Sequence, residues 1–562
     1  MRPRRLLCST LLVLSALSTA CSGQAEGPAP AGIRLSSVGY PLEVAKHATV
    51  STMPGMGDTF RVVELASGET VHEGDLTGPA PSPETQETVR QAAFTSLPAG
   101  RYRLEVEGLP PSAPFTVGAD VLNERLRLVM LGFYGQRCGM AVEFEHEGHT
   151  FAHAACHLDD GYLDEYDPAR AGERKDGVGG WHDAGDYGKY AVNAGFTNGM
   201  MLAAWEQYGD RLQHLALPIP EAGGDLPDYL DELRYNVAWL LKLQFPDGRV
   251  SHKLTRHDFA PFIMPSADDG KRYYAPWGTA ANANFCASML MASRVFEPYD
   301  EDFAERCKEA AVRAWEAMQP AWREVRPDLS AFNTGAYLTP SESDVLWASV
   351  EMLLTAPEAL SADERAGIER RLTQDNFAFD VDWDWGRPGN LGLYSYLFSE
   401  AAEVDPEIRA HLAEDLLLAA DRLLETHDAH AYGRSLRGYY WGVNGSVARS
   451  TMTLQAAYRL SGDERYRHAA FNQLAYLYGR NPYSRSFVTG DGLNPPNAPH
   501  HRPSGADDLA PAWPGHLVGG PHPTELDWVD EESSYALNEN AINWDGALAY
   551  ALAAFYVPGE DE

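Results

Sequence analysis

Positive charge is scarce in this 562-residue chain, with 45 Lys and Arg against 80 Asp and Glu and a formal net charge of −35. So negative a surface repels nucleic acid and anionic lipid, which leaves a neutral or cationic substrate as the expected partner. Cysteine is equally sparse: of six residues, Cys8 and Cys21 sit in the leader described below, and only Cys138, Cys156, Cys286 and Cys307 remain. A chain this long buries a core without disulfide staples, so their neighbours matter more than their number. Beyond residue 21 no apolar run approaches the roughly 18 residues that span a bilayer. Strand–helix alternation is missing as well, which argues against Rossmann and TIM architectures.

What is present begins with an export leader: Arg2, Arg4 and Arg5, the apolar run Leu6 to Leu17, then Ser18-Thr19-Ala20 before Cys21. Ser18-Thr19-Ala20-Cys21 is similar to a bacterial lipoprotein box with Cys21 as lipidated first residue, although Leu17 stands one place further from the cysteine than that box prefers. Export is expected, either to the bacterial cell surface or outer membrane on a lipid anchor or by plain secretion. Residues 1–31 read as leader, lipobox and tether. Residues 32–118 carry short alternating runs such as Phe60-Arg61-Val62-Val63-Glu64-Leu65 and Gly100-Arg101-Tyr102-Arg103-Leu104-Glu105-Val106. These predict a small β-sandwich.

From residue 119 to residue 562 the texture turns helical. Apolar residues at helical spacing mark about twelve segments: 122–134, 194–208, 227–244, 281–296, 303–319, 342–356, 363–374, 391–403, 410–426, 447–461, 464–479 and 540–556. Twelve helices pair into six hairpins, and periodicity alone allows either a closed barrel or an open solenoid.

The chemistry concentrates in Gly179-Gly180-Trp181-His182-Asp183-Ala184-Gly185-Asp186-Tyr187-Gly188-Lys189-Tyr190. Two carboxylates separated by Ala184 and Gly185 can address one water, and small neighbours let a bulky ligand approach the backbone. A bare D-x-x-D is more often a cap or turn former. A second segment is Ser533-Ser534-Tyr535-Ala536-Leu537-Asn538-Glu539-Asn540-Ala541-Ile542-Asn543-Trp544-Asp545, where Glu539 alone would read as a first-turn charge favoured by the helix dipole. A third is the long loop 480–538, which contains Pro499-His500-His501-Arg502-Pro503; a loop of such length is usually functional.

Together these segments closely resemble the active-site motifs of glycoside hydrolase family 9, the inverting cellulase family. Ile33-Arg34-Leu35-Ser36-Ser37-Val38-Gly39-Tyr40 resembles the immunoglobulin-like module preceding the catalytic domain in one subgroup. The resemblance implies a mostly α fold, an (α/α)6 barrel behind an immunoglobulin-like sandwich. It also implies an enzyme cleaving β-1,4-linked polysaccharide or oligosaccharide as a monomer. Carried over residue by residue, Asp186 is the base, Asp183 its partner on the same water and Glu539 the acid. His500, Arg502 and Tyr535 fall at substrate contacts, and Trp385 and Trp441 lie in loops where a pyranose face can stack. Asn540 and Asp545 depart from the family pattern of Val and Asn, and a carboxylate at 545 would perturb the acid if close to it.

Cys138, Cys156, His157 and His182 form C-x17-C-H-x24-H, two thiols and two imidazoles of the kind that close a tetrahedral Zn²⁺ site, or else free thiols or a disulfide. Some family members with the immunoglobulin-like module carry a structural zinc at matching positions. The acidic stretch Asp159 to Asp167 offers Ca²⁺ ligands or a solvated loop. Two alternatives to a cellulase remain at this stage. One is an exo-β-glucosaminidase on chitosan oligosaccharides, which the negative charge suits. The other is a glycan-binding surface lipoprotein without activity, which the intact carboxylates oppose.

Overall fold

The computed structural model describes residues 29–318, 323–374, 378–402, 404–507 and 509–559. The leader and Cys21 lie outside the described residues.

The β region alternates as its sequence predicts, and the alternation decides which face packs. It comprises β1 (Ile33–Arg34), β2 (Tyr40–Pro41), β3 (Lys46–Ser51), β4 (Thr59–Glu64), β5 (Thr70–Asp75), β6 (Thr77–Pro81), β7 (Thr88–Phe94), β8 (Gly100–Val106) and β9 (Phe115–Gly118). Along β8, Tyr102, Leu104 and Val106 are buried while their neighbours are not, the period of a half-buried strand. Two sheets result, ordered β1-β3-β7-β6 and β2-β9-β8-β4-β5. Phe94 of the first meets Tyr40, Phe60 and Phe115 of the second at ring separations of 5.9, 6.1 and 5.8 Å.

All twelve expected helical segments are present. They are α1 (Asn123–Gly135), α2 (Ala191–Leu212), α3 (Asp228–Leu241), α4 (Thr279–Phe296), α5 (Glu301–Met318), α6 (Glu342–Thr355), α7 (Ala362–Leu372), α8 (Gly389–Phe398), α9 (Pro406–Ala429), α10 (Val443–Ser461) and α11 (Glu464–Leu477). After the short α12 (Arg502–Ala506) and α13 (Tyr535–Asn538), the last is α14 (Ile542–Ala553). Local signals set several ends. Ser361 and Glu364 form a capping box on α7, Asp405 caps α9 ahead of Pro406, and Gly462 closes α10 in the left-handed region.

Burial sorts the helices into two rings. Helices α4 and α14 are buried almost all round, whereas α5 buries only Phe303, Ala304, Cys307, Ala310, Ala311, Ala314, Trp315 and Met318, one stripe of its surface. The inner helices pack in the order α2, α4, α6, α8 and then α10, α14 and back to α2. Tyr394 on α8 hydrogen-bonds Thr453 on α10 at 2.7 Å and completes the ring. The six hairpins therefore close into an (α/α)6 barrel, which periodicity alone left open.

Among the described residues five short strands interrupt the helical region: β10 (Val142–His146), β11 (His149–His153), β12 (Lys189–Tyr190), β13 (Lys253–Thr255) and β14 (Tyr273–Tyr274). The last three form one small sheet beside the motif at 179–190. The final helix also begins two residues later than expected, because Asn540 and Ala541 are extended and bridge to Val518 and Ala184.

The sandwich is tied to the barrel through buried polar groups. Arg480, 4% exposed, donates to Thr49, Gln91 and Asn472 at 3.2, 2.9 and 2.8 Å, and Thr49 and Gln91 both donate to the Ala431 carbonyl. Removing the guanidinium leaves buried acceptors unpaired, so Arg480→Ala is expected to lower the unfolding free energy by about 2–4 kcal/mol. Urea unfolding checks this, and an unchanged midpoint would refute it.

Candidate active site

The motif at 179–190 is a sharp loop that runs through β12 into α2. Gly185 is required by close approach: a Cβ there would collide with the His500 carbonyl and come within 3.2 Å of Glu539 Oε1. His500 in turn pairs with Glu539, and Ala184 with Ala541, through backbone bridges. The Gly185 carbonyl accepts from the Arg502 backbone amide at 3.1 Å and from its Nη1 at 2.7 Å. Three segments far apart in sequence are thereby laced into one floor.

On that floor Asp183, Asp186 and Glu539 line one cavity of about 410 Å³ with Tyr190, Tyr337, Phe259, Asp384, Trp385, Trp441, Asn543 and Trp544. The two aspartates are held differently. Asp183 has both oxygens engaged, Oδ1 by Asn193 at 2.7 Å and Oδ2 by the Tyr337 hydroxyl at 2.6 Å. Asp186 receives the Gly188 amide at 2.9 Å and the Tyr190 hydroxyl at 3.1 Å, both on Oδ2. Burial, and then the neighbouring Asp186 charge, push Asp183 up to about 8. Burial followed by Asp186 and Asp183 holds Glu539 well above the ordinary carboxylate range.

The expected substrate contacts divide. Trp385 and Trp441 line the cavity, Trp441 being 51% exposed. Tyr535, 52% exposed, stands edge-on to Trp441 at 5.4 Å outside the cavity lining. His500 and Arg502 are not part of that lining either. His500 donates from Nδ1 to the Glu532 carbonyl at 2.7 Å, and the buried Arg502 gives Nε to the Ala260 carbonyl at 2.7 Å besides holding Gly185. Both side chains thus pin the loops around the site. Asp545 accepts from Leu517 and His516 at 2.7 and 3.0 Å, and the charges acting on Glu539 are Asp186, Asp183 and Arg502. The sequence reading missed Tyr337, Asn193 and Phe259. Asn193 had a signal, lying one helical turn into α2 after the motif, whereas the loops holding Tyr337 and Phe259 carry no pattern.

Behind the motif, Cys138, Cys156, His157 and His182 are all buried, with their donor atoms within 4.8 Å of one another. Cys138 Sγ lies 3.5 Å from His157 Nδ1, Cys156 Sγ lies 3.9 Å from His182 Nε2, and the two imidazole nitrogens are 3.3 Å apart. Ideal tetrahedral zinc with two thiolates and two imidazoles has S···N edges of about 3.6 Å and an N···N edge of about 3.4 Å. Both cysteines are free thiols. His157 Nε2 faces Asp268 at 3.3 Å, the carboxylate partner that orients a ligating imidazole. Burial drives His182 down to about 3, which keeps its ring neutral with a lone pair to give. The tetrad can hold a metal ion.

The acidic stretch is otherwise engaged: Asp160 pairs with Lys189 at 2.8 Å and Arg272 at 3.4 Å, Glu165 with His257, and Asp167 caps a short turn. Those pairings give Asp160, Glu165 and Asp167 structural partners. Glu84, His430 and Glu525 also converge, but His430 Nδ1 accepts the Tyr432 amide, so Nε2 of the neutral ring carries the proton and has no lone pair for a metal.

Comparison with known proteins agrees with this geometry. The family model described as Glycosyl hydrolase family 9 matches residues 123–552, and that described as Cellulase N-terminal ig-like domain matches residues 29–110. The chain is 42% identical over 529 residues to Endoglucanase D of Acetivibrio thermocellus, which covers 93% of this chain and 83% of the relative. A metagenome-derived glycoside hydrolase family 9 endoglucanase superposes with a TM-score of 0.85 at 33% identity, over 94% of this chain and 99% of that one. A Zn-binding triple mutant of the family 9 endoglucanase J30 gives 0.86 at 29% identity, over 92% and 100%.

Asp183 yields a prediction about stability. Its folded value lies above the unfolded value of 3.8, so stability is whole below about pH 4 and falls as pH rises towards about 8. Asp183→Asn removes the ionisation and should stabilise the protein by a few kcal/mol at pH 8 while changing little at pH 4. Calorimetric Tm measured across that range tests it, and a pH-independent difference would count against a titrating Asp183.

Proposed function

Because the chain belongs to glycosyl hydrolase family 9, we propose that it hydrolyses β-1,4-glucosidic bonds of cellulose or related β-glucans with inversion, Asp186 acting as base and Glu539 as acid. The observation that carries this reading is the cavity shared by the three carboxylates. An inverting glycosidase needs a base that takes a proton from water on one face of the anomeric carbon and an acid that protonates the departing oxygen on the other. Asp183 has both oxygens occupied, whereas the hydrogen bonds to Asp186 fall on Oδ2 and leave Oδ1 for the water's proton. That supports Asp186 as base and Asp183 as the group that steadies the same water. Glu539 is raised well above the ordinary carboxylate range by burial and then by Asp186 and Asp183, the direction a general acid needs. Water attacks directly, so the α-anomer is the first product.

Trp385 and Trp441 supply stacking faces in the cleft. Residues 119–562 make up the catalytic unit and residues 32–118 a supporting sandwich. The protein acts outside the cytoplasm, secreted or held by lipid on Cys21. All three named relatives are endoglucanases, which gives no support to a glucosaminidase or to an inactive binder.

The metal tetrad takes zinc, on the strength of its donor set and edge lengths. His182 adjoins Asp183, so the ion would brace the loop that carries both aspartates. Elemental analysis should find close to one zinc per chain, and Cys156→Ser should lose it together with thermal stability, since a structural site contributes folding energy. Full stability in the zinc-free variant would refute the bracing role.

Acid assistance matters for a sugar leaving group of high pKa and little for a dinitrophenolate, and each such assistance is worth roughly 10²–10⁴ in rate. Glu539→Ala should therefore cripple hydrolysis of cello-oligosaccharides yet spare most activity on a dinitrophenyl cellobioside, while Asp186→Ala suppresses both. Equal losses on both substrates for a folded Glu539→Ala would take the acid's role from Glu539.

A further inference from the structure

We propose that Lys253 is a positioning residue for the catalytic base, its buried ammonium gripping the segment that holds both aspartates and supplying a positive charge that faces Asp186. The assignment rests on the hydrolytic reading above. Lys253 is fully buried, and a buried ammonium is tolerated only where its three protons and its charge find partners.

The small sheet beside the motif sets where the side chain goes. Lys253 on β13 is the cross-strand partner of Tyr190 on β12, so the two side chains leave the sheet on one face. Nζ lies 5.7 Å from the Tyr190 ring centroid and 4.6 Å from that of Phe332. It donates to the Thr334 hydroxyl and the Gly335 carbonyl, each at 2.9 Å, and to the Thr334 carbonyl at 3.3 Å. The preceding residue, His252, reaches the Ala336 carbonyl through Nε2 at 2.7 Å. Residues 334–336 are thus held by two successive side chains.

That segment carries a partner for each aspartate. The Gly335 amide donates to the Tyr190 hydroxyl at 3.1 Å, and the same hydroxyl donates to Asp186 Oδ2 at 3.1 Å. Two residues further on, the Tyr337 hydroxyl donates to Asp183 Oδ2 at 2.6 Å. Loss of the ammonium would loosen both contacts at once.

Charge points the same way. Burial draws Lys253 down to about 8, and the charge of Asp186 opposes that fall. His252, drawn down by burial to about 4, is neutral beside it. Asp186 is also faced by Asp183, Glu539, Tyr187, Tyr190, Tyr337 and His500, of which the first five are acids and His500 is kept neutral by burial. Arg502 acts on Glu539 and gives its protons to the Gly185 and Ala260 carbonyls. A cation facing Asp186 favours the ionised carboxylate, the form that can take a proton from water.

The pH profile of kcat/KM on dinitrophenyl cellobioside tests the assignment, because that leaving group departs without the acid and the rate reads the base. Lys253→Met should lower kcat roughly tenfold with KM within about twofold. It should also move the acidic limb upward by about one pH unit, since removing a positive charge raises the pH at which the carboxylate ionises. Lys253→Gln keeps donors for the segment's carbonyls without the charge. It should show the same displaced limb with a smaller loss of kcat, and it carries the test should the Met variant fail to fold by circular dichroism. Lys253→Arg, which keeps the cation, should retain the parental limb. A parental limb in the folded Met or Gln variant, whatever the loss of rate, would reduce Lys253 to a structural clamp and overturn the proposal while leaving the hydrolytic reading intact. Absence of parental activity on both cello-oligosaccharides and dinitrophenyl cellobioside would overturn the hydrolytic reading, and the role of Lys253 with it.

Discussion

The contact on which the rest of the site depends is the absence of a side chain at Gly185. Only that absence lets the His500 carbonyl reach the loop between the two aspartates, and only then can His500 pair with Glu539 while Arg502 clamps Gly185. Glu539 stands more than 350 residues from Asp183 and Asp186, yet the spacing of the three carboxylates is set by backbone hydrogen bonds that do not bend easily. Catalysis by two opposed groups needs such a fixed separation, since both must address one glycosidic bond from opposite faces.

The barrel makes this lacing feasible by dividing labour between its rings. Inner helices buried all round leave no freedom for loops at their ends, while the amphipathic outer helices meet water. Local unfolding of any one hairpin would open the inner ring, so the loops inherit the rigidity of the whole barrel. The carboxylates exploit that rigidity. A buried pair of aspartates beside a buried glutamate is unfavourable in itself, and the raised values of Asp183 and Glu539 measure the cost of holding charge there.

Support for the loop comes from behind as well as from the barrel. The tetrad of Cys138, Cys156, His157 and His182 includes the residue just before Asp183, and Arg272 reaches from Cys138 and Asp160 to the Tyr187 carbonyl. Asp268 links the same tetrad to the loop that carries Phe259. One buried polar cluster therefore joins the aspartate loop to a wall of the cleft.

Much of this was legible in the chain. Helical periodicity placed all twelve long helices because a buried apolar stripe repeats every 3.6 residues whatever lies opposite, and β alternation marked the sandwich for the same reason with period two. The two carboxylate motifs and the C-x17-C-H-x24-H spacing stood out because their chemistry requires particular residues close together in sequence. What sequence alone left open was closure of the barrel, the extended backbone at Asn540 and Ala541, the structural employment of Arg502, His500 and Asp545, and the places of Tyr337 and Phe259. Each of these depends on a partner more than 20 residues away. Local pattern carries no information about such partners, and only the folded barrel brings them together.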